Sequence, residues 1–227
     1  MKLLTLFSTL LILTACGNQN GAIELQFSEQ EAGVEPYKTR MIITDDFLRI
    51  DDGPDNKDFI LLDRKARKIS SISYDNQRIF EIPFREVTLE KPTDLVWEYK
   101  AINATDAPTI DGIVPTGHSF SANQQTCLQT MAAQGLLEKA RVALMEYQTI
   151  LAGEHAANLN KTPKGQRLAC DSALSIFHPT DSLKHGFPII EWDSAGHRRQ
   201  LSNYTENADI SADLFKIPED FKTFSLN

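Results

Sequence analysis

Three cysteines, Cys16, Cys127 and Cys170, and five histidines, His118, His155, His178, His185 and His197, have side chains suited to covalent or coordination chemistry. No histidine or second cysteine stands two to five residues from Cys127 or Cys170, the spacing that a zinc site needs. No two histidines fall at helical ligand spacing, and the Gly-x-Ser-x-Gly elbow, His-Glu-x-x-His and phosphate-cradling glycine-rich patterns are absent from the sequence. The expectation is a chain with no catalytic residue, no metal ligand and no cofactor. The densest acidic stretch, Asp45, Asp46, Asp51, Asp52, Asp55 and Asp58, offers oxygen atoms to calcium. It lacks the EF-hand spacing, and aspartate is favoured in turns for local hydrogen bonds.

Cys16 stands in a different setting from the other two. Met1-Lys2 opens an apolar run from Leu3 to Leu13 that suits the central region of an export signal. The run is too short for a spanning helix, which needs about 20 apolar residues. It ends in Leu13-Thr14-Ala15-Cys16-Gly17, which resembles the lipobox of bacterial lipoprotein signals. In that group the cut falls before the cysteine, which becomes the acylated first residue. The resemblance implies a signal peptide over residues 1–15, lipid (palmitate) on Cys16, and a tether over residues 16–22 whose polar Gly17-Asn18-Gln19-Asn20-Gly21 reads as flexible. One acyl chain binds membranes marginally, whereas the two or three of a lipoprotein anchor stably. Gly17 in place of aspartate implies the periplasm-facing outer membrane for a Gram-negative source. The alternative is an ordinary secretory signal that happens to contain a cysteine.

With Cys16 assigned to lipid, an even pair remains, and in an exported chain Cys127 and Cys170 read as a disulfide. The alternative is two buried free thiols. Closing that loop stabilises the fold by about 4 kcal/mol on the chain-entropy argument. The formal charge of −8 disfavours nucleic acid and anionic headgroups as partners. The residues beyond the signal suffice for one sizeable core, read as a single domain over residues 23–227.

The elements follow from periodicity. Ile23, Leu25 and Phe27 alternate with Glu24 and Gln26, the pattern of a half-buried strand. Tyr37 to Thr44, Phe47 to Asp51, Phe59 to Asp63, Arg67 to Ser73 and Arg78 to Ile82 continue it between polar turns too short for crossover helices, so neighbours should pair as an antiparallel meander. Leu95 to Ile102 adds a strand with Leu95, Trp97, Tyr99 and Ala101 on one face. Ser121-Ala122-Asn123-Gln124 reads as a capping box, and Ala133, Leu137, Ala140, Leu144, Tyr147 and Leu151 then fall at helical spacing up to Gly153. Met131, Val142 and Met145 lie off that stripe, where they suit a ligand, a partner or a second packing surface. A second helix is expected from Thr162-Pro163 to before His178-Pro179, so the disulfide would join the start of one helix to the buried side of the other. Phe187 to Asp193 and His197 to Tyr204 read as a hairpin, and Leu214, Phe215, Ile217 and Phe221 as a packed C-terminal segment. The fold class is α+β, a curved antiparallel sheet (incomplete β-barrel) with a helical pair inserted at about 121–178 covering one face or the mouth.

Asp46-Phe47-Leu48-Arg49-Ile50-Asp51, Asp58-Phe59-Ile60-Leu61-Leu62-Asp63, Gly186-Phe187-Pro188-Ile189 and Asp213-Leu214-Phe215-Lys216-Ile217-Pro218 resemble segments of the periplasmic lipoprotein-carrier and receptor superfamily, the LolA/LolB-like half-barrel. What the resemblance implies is an apolar cavity able to take acyl chains. It also sets Arg49 against the arginine that helps hold a carrier closed. Arg49 reads equally as a surface strand residue paired with Asp51. The expectation is a non-enzymatic envelope lipoprotein that binds lipid or an acyl chain in its half-barrel. The alternative is an outer-membrane-tethered scaffold with a filled core, acting through contacts with an envelope protein. The sequence leaves the ligand-binding residues unknown.

Overall fold

In the computed structural model, which describes residues 19–53, 57–103 and 107–225, alternating apolar side chains build one twelve-stranded sheet that curves without closing into a barrel. Cys16, the signal segment and Asp55 lie outside the described residues. The strands are β1 Gln19–Gln30, β2 Tyr37–Ile43, β3 Phe47–Asp51, β4 Phe59–Asp63, β5 Lys68–Ser73, β6 Arg78–Pro83, β7 Trp97–Ile102, β8 Thr116–Ala122, β9 Gln125–Ala133, β10 Phe187–Asp193, β11 Arg198–Ile210 and β12 Lys222–Ser225. Their order is β12-β6-β5-β4-β3-β2-β1-β11-β10-β9-β8-β7, two meanders joined where β1 pairs with β11. The pairing is antiparallel as expected except at β12, which the sequence reading omitted and which runs parallel to β6 with Phe224 opposite Phe80.

The period of two puts different residues on the two faces. Leu25, Phe27, Ile43, Leu48, Leu62, Ile69, Phe187 and Ile189 belong to the larger core cluster, where they meet Ala140, Ala143, Leu144 and Ile150 of the helix α1, Glu138–Asn158. Ile42, Phe59, Leu61, Ile72 and Ile79 point the other way and are covered by Leu214, Phe215, Ile217 and Phe221, the packed C-terminal segment that the sequence announced. Phe215 stacks on Phe47 with ring centroids 5.3 Å apart. Each such side chain, fully buried, contributes on the order of 1.5–3 kcal/mol.

The helix expected from Ser121 is instead a hairpin. Ser121 and Ala122 end β8, Gln125 opens β9, and Asn123 and Gln124 form the turn with φ of 50° and 68°. Two left-handed residues in a two-residue loop match the right-handed twist of the strands they join. The chain then leaves β9 through Gly135 (φ 84°) and Leu137 (φ 49°) before α1 starts. Ala133 and Leu137 therefore lie outside the helix, yet both are buried in the same cluster as Ala140 and Leu144, with Tyr147 and Leu151 packed against it. The helix runs five residues past Gly153, because the missing side chain there accommodates the backbone of Arg85 rather than ending the helix.

The second helix is also shorter than expected. After a single 3-10 turn, Lys164–Gln166, the helix α2 spans only Ala169–Ser172 and opens into a wide turn, Ala173–Phe177. The helical segments between β9 and β10 thus begin at residue 138 rather than 121. The disulfide forms between Cys127 and Cys170, with Cα atoms 5.1 Å apart, and ties strand β9 rather than a helix to α2. Around it Leu95, Ala122, Ala173 and Phe177 make a third apolar cluster.

Candidate functional site

Helix α1 fills the sheet face, so the space left for a ligand lies at its flank. A groove of about 540 Å³ runs between α1 and the β4–β5 turn, lined by Leu62, Arg64, Arg67, Arg141, Val142, Met145, Glu146, Thr149 and Ile150. Leu62 and Ile150 form a buried floor. Val142 and Met145, the two helix residues off the apolar stripe, form the wall, and Val142 is 38% exposed. Met131, grouped with them on helical spacing, lies on β9 and packs on the core.

The polar rim is held by its own contacts. Arg64 grips Glu146 with two nitrogens at 2.6 and 3.1 Å and donates to the Thr44 carbonyl at 2.8 Å. Arg141 donates to Glu138 and to the Leu183 carbonyl, and Arg67 lies 3.4 Å above the ring of Phe84. Thr149 donates to the Met145 carbonyl of its own helix. Glu146, the only carboxylate among the described lining residues, is engaged by a guanidinium and is poorly placed for general acid–base work. Chemically, the groove offers an apolar slot edged by two guanidinium–carboxylate pairs and by the guanidinium of Arg67.

A second group of residues gathers where β7 and β8 meet the segment before β10. Trp97 stacks between Phe120 and His178, with centroids 5.9 and 4.8 Å away. His185 stacks on both Tyr99 and His118 at 4.4 Å. Tyr99 Oη and Thr116 Oγ1 lie 3.1 and 2.8 Å from the two ring nitrogens of His118. Burial lowers all three imidazoles below their ordinary value, and for His118 the neighbouring His185 adds to it. Burial also raises the Asp181 carboxyl, but hydrogen bonds from Lys184 and Trp97 outweigh it and leave a net lowering. Asp181 therefore stays ionised and accepts from Trp97 Nε1, His178 Nδ1 and Lys184 Nζ.

Nothing in the spacing of the histidines along the chain announces this gathering. His118 is a buried residue of β8, and about sixty residues separate it from His178 and His185. The legible part is the alternation Trp97, Tyr99, Ala101 on a strand, which the register sets opposite Ala122, Phe120 and His118 on the next. Trp192, on β10 as expected, and Trp97 line one pocket together.

Arg49 is paired with Asp51 at 2.6 Å, as one reading had it, but is buried rather than on the surface. It donates to the Leu214 carbonyl at 2.5 Å and lies 3.9 Å over Phe59, on the face opposite α1. Its role there is to hold the C-terminal segment. Of the acidic stretch, Asp51 also takes Arg40, Asp46 takes Lys65, Asp45 takes Lys139, and Asp58 accepts from the Tyr74 amide. Those partners scatter the carboxylates rather than converge them.

No protein-family model matches the chain, and no curated protein matches it. Solved structures similar in backbone include an uncharacterized conserved protein from Thermus thermophilus, 8% identical with a TM-score of 0.46 over 91% of each chain. PNGF-II is 11% identical with a TM-score of 0.43, over 91% of this chain and 31% of that one. The MucA/MucB complex of Pseudomonas aeruginosa gives 7% identity and a TM-score of 0.40, over 92% of this chain and 59% of the matched one.

Proposed function

We propose that this chain is a non-enzymatic lipoprotein of the cell envelope, tethered by acyl chains on Cys16, that holds one acyl chain in the groove beside α1. The observation that carries the reading is the groove itself. At about 540 Å³ it exceeds the roughly 300 Å³ at which small-molecule sites begin, and its floor and wall are Leu62, Ile150, Met145 and Val142. Fixed arginines at the rim suit the polar end of an amphiphile, while the floor excludes water from its tail. The lipobox and the resemblance to half-barrel carriers support the same address, the periplasmic face of the outer membrane. The alternative scaffold would act through an apolar helix surface. Of the exposed large apolar side chains on the helical segments, Val142 on α1 lines the groove, and Leu168, which caps α2, does not.

Native mass spectrometry of the protein isolated gently from the envelope tests this. The expected result is a noncovalent adduct of acyl-lipid mass that leaves on denaturation and is absent from a Met145→Glu variant. A covalent lipid mass should persist on denaturation and vanish in Cys16→Ser. An adduct-free native mass in the parent protein would overturn the ligand reading, and an unacylated Cys16 would overturn the tether.

A further inference from the structure

The open sheet ends at β7 and at β12, and each of these strands pairs on one side only among the described residues. An edge strand presents a row of unpaired N–H and C=O groups to any other strand, and proteins commonly blunt it with proline, a bulge or a very short edge. β7 has none of these. Trp97–Ile102 pairs with β8 along its whole length without a register shift, contains no proline, and leaves Glu98, Tyr99, Lys100 and Ala101 exposed. Charge also guards an edge, by repelling its like, so the two charged residues decide which strand β7 accepts and in what register.

The direction of the backbone groups is fixed at the start of the strand. Val96 donates its N–H to Asn123 Oδ1 and accepts the Asn123 N–H on its carbonyl, so both its groups face the β8–β9 turn. Direction alternates along an antiparallel strand, and Glu98, Lys100 and Ile102 therefore turn theirs to β8 while Trp97, Tyr99 and Ala101 turn theirs outward. A second copy of β7, running antiparallel across a two-fold axis, can bond to those outward groups. A slip of one residue is barred, because it sets outward groups against inward ones and opposes unlike faces.

Among the registers that remain, one centred on Glu98 sets carboxylate against carboxylate, and one centred on Lys100 sets ammonium against ammonium; like charges directly opposite destabilise a pair. Registers farther out pair fewer residues and set a charge opposite Val96 or Ile102. The register centred on Tyr99 sets Glu98 opposite Lys100 of the second copy and, by symmetry, Lys100 opposite its Glu98. It also matches size and polarity: bulky Trp97 falls beside Ala101, exposed Val96 beside Ile102, and Tyr99, itself 45% exposed, beside its own copy. Roughly six main-chain hydrogen bonds join the strands in that arrangement. β12 offers no such match, because Lys222–Ser225 carries a lysine and no carboxylate. We propose that β7 is a homodimer interface at which two copies of this chain join edge to edge, antiparallel about a two-fold axis at Tyr99, and extend one sheet across both. A contact confined to one edge strand belongs with small, transient interfaces, which places its affinity in the micromolar range.

The test is sedimentation equilibrium of the full chain, in detergent matched to the buffer in density. The parent should pass from monomer to dimer across the micromolar range. Glu98→Lys and Lys100→Glu should each weaken self-association about tenfold or more, because each sets like charges opposite at both symmetric positions. Both side chains are exposed, so the melting temperature should be kept. An equimolar mixture of the two single variants should associate as the parent does, since their strands then meet with unlike charges, and so should the double variant Glu98→Lys with Lys100→Glu. Three results would each overturn the proposal: a parent that stays monomeric throughout, self-association that neither single reversal weakens, or a mixture that associates no better than its two components alone.

Discussion

Gly153 of α1 lies directly against the backbone carbonyl of Arg85, so a methyl group at position 153 would overlap the carbonyl oxygen. The segment after β6 is thereby laid across the helix, and α1 is held down on the sheet. In an open helix, replacing glycine by alanine gains about 0.8–1 kcal/mol. Here the overlap is with backbone, which yields less than a side chain does, and overpacking of that kind costs about 1–3 kcal/mol. Gly153→Ala is therefore expected to lower stability in urea unfolding, and a stabilised variant would show that the segment at Arg85 does not press on the helix.

Asp51 has a fully buried carboxylate held by Arg40 at 2.8 Å and Arg49 at 2.6 Å. Burial raises its pKa, but the hydrogen bonds from both arginines and the Gly53 amide more than offset this, and the net shift is downward. Its contribution is thus present above the ordinary 3.8 and is lost as pH falls below it. Asp51→Ala strands Arg49 among apolar rings and should cost about 3–5 kcal/mol. Equilibrium unfolding of that variant at pH 7 checks the magnitude; a change below about 1 kcal/mol would place the pair among weak surface bridges.

The bridge between Cys127 and Cys170 fastens α2 to strand β9 and, through Ala173 and Phe177, to the cluster beneath Trp97. The double replacement Cys127→Ser with Cys170→Ser is expected to lower stability by about 2–5 kcal/mol. Thiol counting on the denatured, unreduced parent should find neither sulfhydryl free. One reactive thiol per chain at either position would contradict the bridge.

His118 and His185 stack face to face, and burial holds both below the ordinary 6.5, with mutual proximity adding to it for His118. Tyr99, Thr116, Phe120, Asp181 and Lys184 are the other groups around the pair. Because the unfolded chain takes up protons near 6.5 that the folded chain refuses, stability should fall as pH drops through that value. Melting temperature measured from about pH 7.5 to 5 should decline, and less steeply in His185→Phe, which keeps a ring in the stack without a charge. An identical decline in parent and variant would assign the effect elsewhere.

Much of this architecture is legible in the residues themselves. Ile23, Leu25 and Phe27 alternate, aspartate and asparagine mark the turns, and β2 to β6 and β10 stand where that pattern puts them, whereas β1 begins at Gln19, inside the stretch expected as a flexible tether, because Gln19 and Ala22 pair with β11, which runs past Tyr204 to Ile210 to meet them. Local letters misled at Ser121, where a capping-box pattern and alanine-rich spacing favour a helix. The pairing of β8 with β9 decides instead, burying Phe120, Ala122, Cys127 and Ala132, and Asn123-Gln124 lacks the glycine that usually signals such a turn. β12 was illegible for another reason: Lys222–Ser225 gains its order from β6, more than a hundred residues away. The same holds for the sites. Val142 and Met145 stood out as residues off the helix stripe, but Arg64 and Arg67 join them only because a distant hairpin packs beside α1.

Methyl-13C methionine NMR tests the acyl groove most directly, because Met41 is buried in the sheet core, Met131 sits on β9 and Met145 lines the groove. Titrating laurate into the protein freed of native lipid should move the Met145 methyl signal saturably and leave Met41 in place. A Met145 signal that stays fixed while the protein binds laurate, or that moves only together with Met41, would contradict an acyl chain held beside α1.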